Sequence, residues 1–400
     1  MFLILRNRNF LLVWLGQVLS QAGTRMYQIA IMWWMLTTMN GKGSELAYFL
    51  IISSLPSLLF VKHIGNLIEK VDSKKIFLFA ELSGFLTILG VIYLIHLGLF
   101  SIVLALITGF LLSLYQAFID PTLFKSVPEL CPKEDSTMAV AFITSTQSLA
   151  NFAGAILGAL LIEMLGIIGV TAINGISYLL CVLFIFRVRF SPMVAADDSS
   201  GTYENLKTFE LLNRMPLIKK ILFGFGLANF FLNPILITLP VYTKNALNEN
   251  ASILGMLEGA LWIGILIGGF VSKYVNIFNN NPIKIVMGAL LLQGLMLFAS
   301  GMIIHTLFFI TILLWIGLLL GIINVKIIDY FQRNVNEAYR GRFFAILQAV
   351  ITFTFPIAYF LFGHLIDHIL INQICMIQAT GLLFVGIYFY LLGKMNRAIA

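Results

Sequence analysis

Long apolar stretches follow one another along almost the whole chain, and short polar connections separate them. A helix needs about 20 mostly apolar residues to cross the ~30 Å hydrocarbon core of a bilayer. Twelve stretches meet this requirement: residues 10–38, 46–68, 76–98, 100–124, 138–164, 167–187, 217–243, 251–275, 284–304, 306–331, 343–366 and 371–393. The pattern therefore predicts an all-α integral membrane protein with twelve transmembrane helices.

One long polar interval, from Arg187 to Lys220, divides the predicted spans into six and six. The order of helices, the polarity of the loops and the placement of polar residues repeat in the two halves. Parallel six-helix repeats with a site near the middle of the membrane are typical of secondary transporters. We expect an amino-terminal six-helix bundle over 1–190, a cytoplasmic linker over 191–213 and a carboxyl-terminal six-helix bundle over 214–400.

Composition and charge agree with a membrane protein. Hydrophobic residues make up 60% of the chain and charged residues 11%, against roughly 25% charged residues in soluble domains. The net charge of +7 arises in short loops, so it does not indicate a nucleic-acid partner. If the amino terminus is inside, nearly all Lys and Arg residues fall in inside segments, and Lys42 and Lys244 lie outside. The positive-inside rule then places both termini in the cytoplasm.

The sequence gives little sign of enzyme or cofactor chemistry. Cys131, Cys181 and Cys375 are scattered and predict unpaired thiols. The chain has no G-x-x-x-x-G-K-[ST], G-x-S-x-G or H-E-x-x-H pattern, so we predict no nucleotide hydrolysis, no enzyme activity and no cofactor. His364, Asp367 and His368 have a spacing that places three metal ligands on one helix face. Structural roles are favoured for them, and we predict no metal site.

The loop between the second and third predicted spans carries a motif that resembles one in the major facilitator superfamily. Its residues are Gly65, Glu69, Lys70, Asp72, Lys74 and Lys75. Glu69 stands for the usual aspartate and Lys70 for the usual arginine, while Ser73 replaces a usual basic residue. The resemblance implies two pseudo-symmetric six-helix bundles that work by alternating access. Gly65 would permit close helix approach, and the charges would brace helix ends. The alternative is an ordinary inside loop with incidental acids.

Further segments are similar to the macrolide-efflux and siderophore-exporter members of that superfamily. They are Arg6–Phe10, Trp14–Gln17, Ser20, Gln28–Ile31, Ser54–Phe60 and Tyr339–Arg342. This resemblance implies a drug:H⁺ antiporter that exports a siderophore-like or drug-like molecule across a bacterial inner membrane and supports multidrug resistance. We expect a monomer with a small-molecule substrate and protons as the coupling ion. Proton-coupled nutrient uptake and a non-transporting membrane sensor are the alternatives.

A polar stripe on the first span is the main candidate for substrate binding. Gln17, Gln21, Arg25 and Gln28 are spaced by four, four and three residues, which places them on one helix face. Arg25 keeps its charge at any physiological pH, so it is expected to hold an anionic substrate or to pair with an acid. The resemblance implies that spans one, four, seven and ten line the cavity, which adds further candidates: Tyr115, Gln116, Asn229, Asn233, Trp315 and Asn324.

Few acids fall within the predicted spans. Glu258 and Asp120 are the candidates for proton coupling, and Glu81 is a further intramembrane acid. Asp120 precedes Pro121 and is expected near the end of a helix, where it could gate instead. Asp329 is expected to pair with Lys326 on the same face of its helix. Pro234 is expected to kink or interrupt the seventh span.

Overall fold

We analysed a computed structural model that describes residues 7–132, 135–191, 212–275 and 281–399. The regular structure of the described residues is helical throughout, which confirms the all-α prediction. The helices, numbered in chain order, are α1 (Arg8–Thr37), α2 (Gly43–Leu59), α3 (Val61–Lys70), α4 (Ser73–His96), α5 (Ile102–Leu130), α6 (Ser136–Arg187), α7 (Pro216–Leu232), α8 (Ile235–Asn245), α9 (Ala251–Val275), α10 (Pro282–Met302), α11 (Thr306–Asn334), α12 (Glu337–Ile366) and α13 (Ile371–Ile399).

Nine of the described helical stretches are long and apolar enough to cross a membrane, or ten if the bent pair α2 and α3 forms one span. Helix α1 is not among them, because its glutamines and Arg25 lower its mean hydropathy. Helix α6 is counted as one span, although Gly166 at φ 65° separates two helices within it. The full number of twelve spans stays a prediction.

Breaks in the helices fall at positions with a local physical cause. Gly166 lies between the predicted fifth and sixth spans, and its positive φ is a conformation that glycine adopts without strain. Helix α7 ends before Asn233–Pro234 and α8 begins after it, as expected for a proline within a span. Pro121 does not have this effect. Helix α5 continues through it to Leu130, so the expected position of Asp120 near a helix end is wrong.

The described chain divides into two compact units. The first runs to residue 191 and also takes in Asn250–Gly259, the opening of α9. The second comprises 212–249 and 260–399. The proposed cytoplasmic linker 191–213 falls almost wholly outside the described residues, and the proposed domain limits stay predictions.

Close packing of α1 on α6 positions the polar face of α1. A Cβ atom on Gly154 would lie 2.7 Å from Cβ of Arg25, and one on Gly158 would lie 2.8 Å from Cα of Met26. These separations are shorter than real Cβ contacts allow. The two glycines therefore form a small-residue seam of the kind that brings membrane helices together.

Replacing Gly154 by alanine is expected to lower the free energy of unfolding by about 1–3 kcal/mol, because the new methyl group forces α1 away from α6. Gly90→Ala on α4 is the matched control, since a Cβ there would meet no atom within 4 Å. We expect that variant to unfold at the wild-type temperature or slightly above it. Thermal unfolding of the detergent-purified protein measures both. Equal unfolding temperatures for the two variants would contradict the proposed seam.

Candidate functional site

A polar cavity of about 220 Å³ lies in the first unit, among α1, α5 and α6. Three predicted residues of the α1 stripe line it, and so do two of the three residues predicted on α5, Gln116 and Asp120. Three further polar residues, Thr24, Gln147 and Asn151, belong to it and were missed as site residues. The complete lining is Gln21, Thr24, Arg25, Gln28, Gln116, Asp120, Gln147, Ala150 and Asn151. The four-residue spacing of Gln147 and Asn151 within an apolar helix was the available signal.

Arg25 is buried and paired with an acid. Its Nη2 atom donates to Oε2 of Glu258 over 2.7 Å, and its Nη1 atom donates to Oε1 of Gln28 over 2.6 Å. Arg25 is 9% exposed and Glu258 is 2% exposed. Of the two roles open to Arg25 on sequence grounds, the structure shows the ion pair. The Glu258 carboxylate compensates the charge of the guanidinium, and the role of Arg25 toward a substrate stays a prediction.

Asp120 is the acid among the described residues that line the cavity. Nε2 of Gln116, one turn earlier on α5, donates to Oδ1 of Asp120 over 2.6 Å. No Lys, Arg or His among the described residues lies within 4 Å of the Asp120 carboxylate. Because the charges of Arg25 and Glu258 compensate each other, Asp120 determines the sign of the net charge of the cavity. The cavity can therefore offer a negative group, neutral amide groups and a hydroxyl to a ligand.

Gln17, the first residue of the α1 stripe, lies outside the cavity in a separate buried cluster. Its Nε2 atom donates to Oε1 of Glu81 over 2.7 Å and lies 3.4 Å from Sγ of Cys181. The Ser20 hydroxyl donates to Oε2 of Glu81 over 2.8 Å. Glu81 is fully buried. The stripe on α1 is thus divided between the Glu81 cluster and the cavity.

The remaining predicted lining residues are not brought to this cavity. Tyr115 packs against an apolar cluster of the first unit, and its hydroxyl lies 3.4 Å from Oγ1 of Thr87. Asn229, Asn233, Trp315 and Asn324 belong to the second unit. The amide of Asn233 donates to the carbonyl and the side-chain oxygen of Asn229 over 2.9 and 3.2 Å. Trp315 is exposed and Asn324 is half-buried.

The loop motif positions helix ends in the first unit. Nζ of Lys74 donates to the carbonyls of Phe186 and Val188 at the end of α6 over 3.0 and 2.8 Å. Cations are favourable at the carbonyl end of a helix. The exposed Asp72 pairs with Lys75 over 2.8 Å, and the hydrogen bond from Lys75 lowers the pKa of Asp72. Glu69 and Lys70 are exposed.

Gly65 does not have the packing role expected of it. A Cβ atom at this position would meet no atom within 4 Å, so the residue does not permit a close helix approach in this structure. The close approach expected at Gly65 is therefore absent here, whereas α1 and α6 do approach each other closely at Gly154 and Gly158.

Replacing Lys74 by methionine is expected to lower the free energy of unfolding by roughly 1–2 kcal/mol, because two helix-end carbonyls lose a charged donor. Lys75→Met is the control: both partners of its ion pair are largely exposed, and such pairs contribute little. Unfolding of both variants in one detergent gives the comparison. A Lys75 effect as large as that of Lys74 would contradict the bracing role.

Two other sequence expectations concern the second unit. Asp329 forms its salt bridge with Arg333 rather than with Lys326. It accepts from Nε of Arg333, four residues later on the same helix face, over 2.8 Å. In the part of the chain that the structure describes, no three His, Cys, Asp or Glu side chains are arranged to hold a metal, and Nδ1 of His364 lies 2.8 Å from the carbonyl of Phe360.

Comparison with known proteins places this fold in a family. The family model of the Major Facilitator Superfamily matches residues 13–359. Macrolide efflux protein A of Streptococcus pyogenes is 24% identical over 97% of both chains. The protein of the same name from Enterococcus faecalis is 24% identical over 77% of this chain and 96% of its own.

Solved structures show the same architecture. The structure of a bacterial homologue of the iron transporter ferroportin in an inward-facing state is similar, with a TM-score of 0.74, 17% identity and coverage of 97% of this chain and 98% of that chain. At this identity the likeness concerns the fold alone. Together with the apolar helices and the family match, it identifies this chain as a multi-pass membrane transporter of the Major Facilitator Superfamily.

Proposed function

We propose that this protein exports drug-like small molecules that carry a positive charge from the cytoplasm, in exchange for protons. The observation that carries the proposal is the cavity of the first unit, in which Arg25 is neutralised by Glu258 while Asp120 has no cation within 4 Å among the described residues. Export is supported by the two relatives named macrolide efflux protein A.

The charge of the cavity supports a cationic substrate over an anionic one. An anionic siderophore would need a free cation, and Arg25 is bound to Glu258 and Gln28. A protonated amine would donate a charge-assisted hydrogen bond to the Asp120 carboxylate. The surrounding amides of Gln21, Gln116 and Asn151 would orient the polar groups beside it. The siderophore-like and anionic substrates expected from the sequence are therefore less favoured than a drug-like cation.

The cavity is large enough for only part of a typical drug-like substrate. Ligand sites typically enclose 300–1,000 Å³, and this cavity is about 220 Å³. We propose that it receives the charged group of the substrate and that alternating access carries that group across the membrane. We also propose, from the distribution of basic residues, that both termini face the cytoplasm of a bacterial inner membrane.

Transport assays with matched probes test the proposal. Proteoliposomes with an imposed proton gradient are given a macrolide, a lipophilic dye cation and a dye anion of similar size. We expect movement of the two cationic or drug-like probes against their gradients, little movement of the anion, and loss of movement when an uncoupler is added. Empty liposomes give the background.

The possible results separate the components of the proposal. Transport of the anion in preference to the cations would overturn the charge assignment. Transport that persists with the uncoupler would overturn proton coupling, and a reversed direction under the cellular gradient would favour uptake.

A further inference from the structure

We propose that Glu81, rather than Glu258 or Asp120, binds the coupling proton, and that the amide of Gln17 changes its orientation when the proton binds. This inference rests on the proposed proton-coupled export. It concerns a buried cluster of Gln17, Ser20, Glu81 and Cys181 in which α1, α4 and α6 meet. The cluster is separate from the residues that line the cavity.

Burial without a cation makes Glu81 suited to bind a proton. Its side chain is fully buried, and no Lys, Arg or His among the described residues lies within 4 Å of its carboxylate. Its hydrogen-bond donors, the Gln17 amide and the Ser20 hydroxyl, are neutral. A buried charge is costly unless it is paired, so neutral and ionised Glu81 are both accessible states.

The described titratable groups that contact this part of α4 are neutral. The thiol of Cys181 reaches both Gln17 and Glu81 from α6, and the ring of Tyr178 packs on Gly84, one turn along α4. From α5, Tyr115 contacts Thr87, further along α4. A thiol and two phenols are the titratable groups among these, and all are neutral at physiological pH.

The second observation is an orphaned oxygen atom on the side chain of Gln17. Its Oε1 atom is buried and has no hydrogen-bond partner, although buried polar atoms are rarely left without one. An ionised Glu81 needs donors, which Nε2 of Gln17 and the hydroxyl of Ser20 supply. A protonated Glu81 has an O–H group that needs an acceptor. A rotation of the Gln17 amide by half a turn presents Oε1 to that O–H group, so the orphaned oxygen gains a partner, and it turns the Nε2 donor away from Glu81 and Cys181.

The other two acids are less suited to this role. Glu258 is bonded to a permanent cation, which stabilises the carboxylate form. Asp120 lines the cavity, where a substrate cation would take the place of a proton. Glu81 contacts α1 at Gln17 and Ser20, within one turn before the first cavity residue, Gln21. Binding of a proton at its carboxylate forms one O–H bond, weakens the contact between α4 and α1, and is reversed when the proton leaves to the opposite side.

Infrared titration of the purified protein tests proton binding directly. At a pH at which exposed carboxyl groups are still ionised, the wild-type protein is expected to show the carbonyl band of one protonated carboxyl group, and Glu81→Gln is expected to lack that band. Asp120→Asn and Glu258→Gln are the controls and should retain it. Gln17→Leu, which removes the acceptor, should shift the midpoint of the band. The proposal would be overturned if the band persisted in Glu81→Gln. It would also be overturned if a control variant lost the band while Glu81→Gln kept it.

Transport gives a second readout. Glu81→Gln is expected to reduce gradient-driven export about 10-fold or more, a change typical of coupling between sites, while exchange of labelled for unlabelled substrate at equal pH continues. If wild-type export ignores the gradient, the proposed coupling fails and the infrared band still decides whether Glu81 binds a proton. If wild-type export needs the proton gradient and Glu81→Gln still exports in the same way, only the proposed role of Glu81 is contradicted. Glu81→Asp, which keeps the carboxyl group, replaces Glu81→Gln if the latter does not fold; it should shift the band and not remove it.

Discussion

Replacing Glu258 by leucine is expected to lower the free energy of unfolding by about 3–5 kcal/mol, the loss measured when one partner of a buried ion pair is removed. Leucine leaves the Arg25 guanidinium, which is 9% exposed, without its carboxylate, and Nε of Arg25 already has no partner. Unfolding of the purified variant in detergent, followed by temperature or denaturant, measures the effect.

The double variant Arg25→Met/Glu258→Leu is the control for this prediction. Apolar replacement of both partners is often neutral or stabilising, so most of the lost stability should return. Transport should not return with it, because the cavity then lacks the group that holds Gln28. If the double variant is as unstable as Glu258→Leu, the loss comes from packing rather than from an uncompensated charge.

Replacing Asp120 by asparagine is expected to weaken the binding of a cationic substrate by about 1.5–3 kcal/mol, or roughly 10- to 150-fold, because a charged hydrogen bond becomes a neutral one. Asparagine has nearly the same size, so the cavity keeps its shape. Binding of the dye cation and of an uncharged drug, measured by fluorescence or calorimetry on the purified protein, separates charge from shape.

Asp329→Asn is the matched control for Asp120→Asn. It removes the same charge from the protein, but from an exposed pair with Arg333 outside the cavity. We expect this control to bind both ligands as the wild type does, and Asp120→Asn to lose affinity for the cation alone. Equal losses for the cation and the uncharged drug would show that Asp120 acts through the shape of the cavity.

The sequence predicted which residues of α1 are polar and share a face, but not what each one contacts. The spacing of Gln17, Gln21, Arg25 and Gln28 is a local property that helix geometry fixes. Their partners are not local: Glu81 lies 64 residues from Gln17, and Glu258 lies 233 residues from Arg25. Because those distances depend on tertiary packing, the sequence left the role of Arg25 open between a substrate ligand and an ion pair.

Proline shows a similar limit. The rule that proline ends or kinks a helix holds at Pro234 and fails at Pro121. Membrane helices tolerate proline where neighbouring groups satisfy the freed backbone atoms, and this depends on surroundings that the local sequence does not contain. The position of Asp120, and with it the sign of the cavity, therefore followed only from the structure.

Arg25 is synthesised long before its counter-ion Glu258. The first unit is not complete until Asn250–Gly259 has been synthesised, and Glu258 follows Arg25 by 233 residues. At about 5–20 residues per second, Arg25 waits tens of seconds in the nascent chain for its counter-ion. A chain that stops before residue 258 therefore carries the Arg25 guanidinium without the carboxylate that pairs with it in the folded unit.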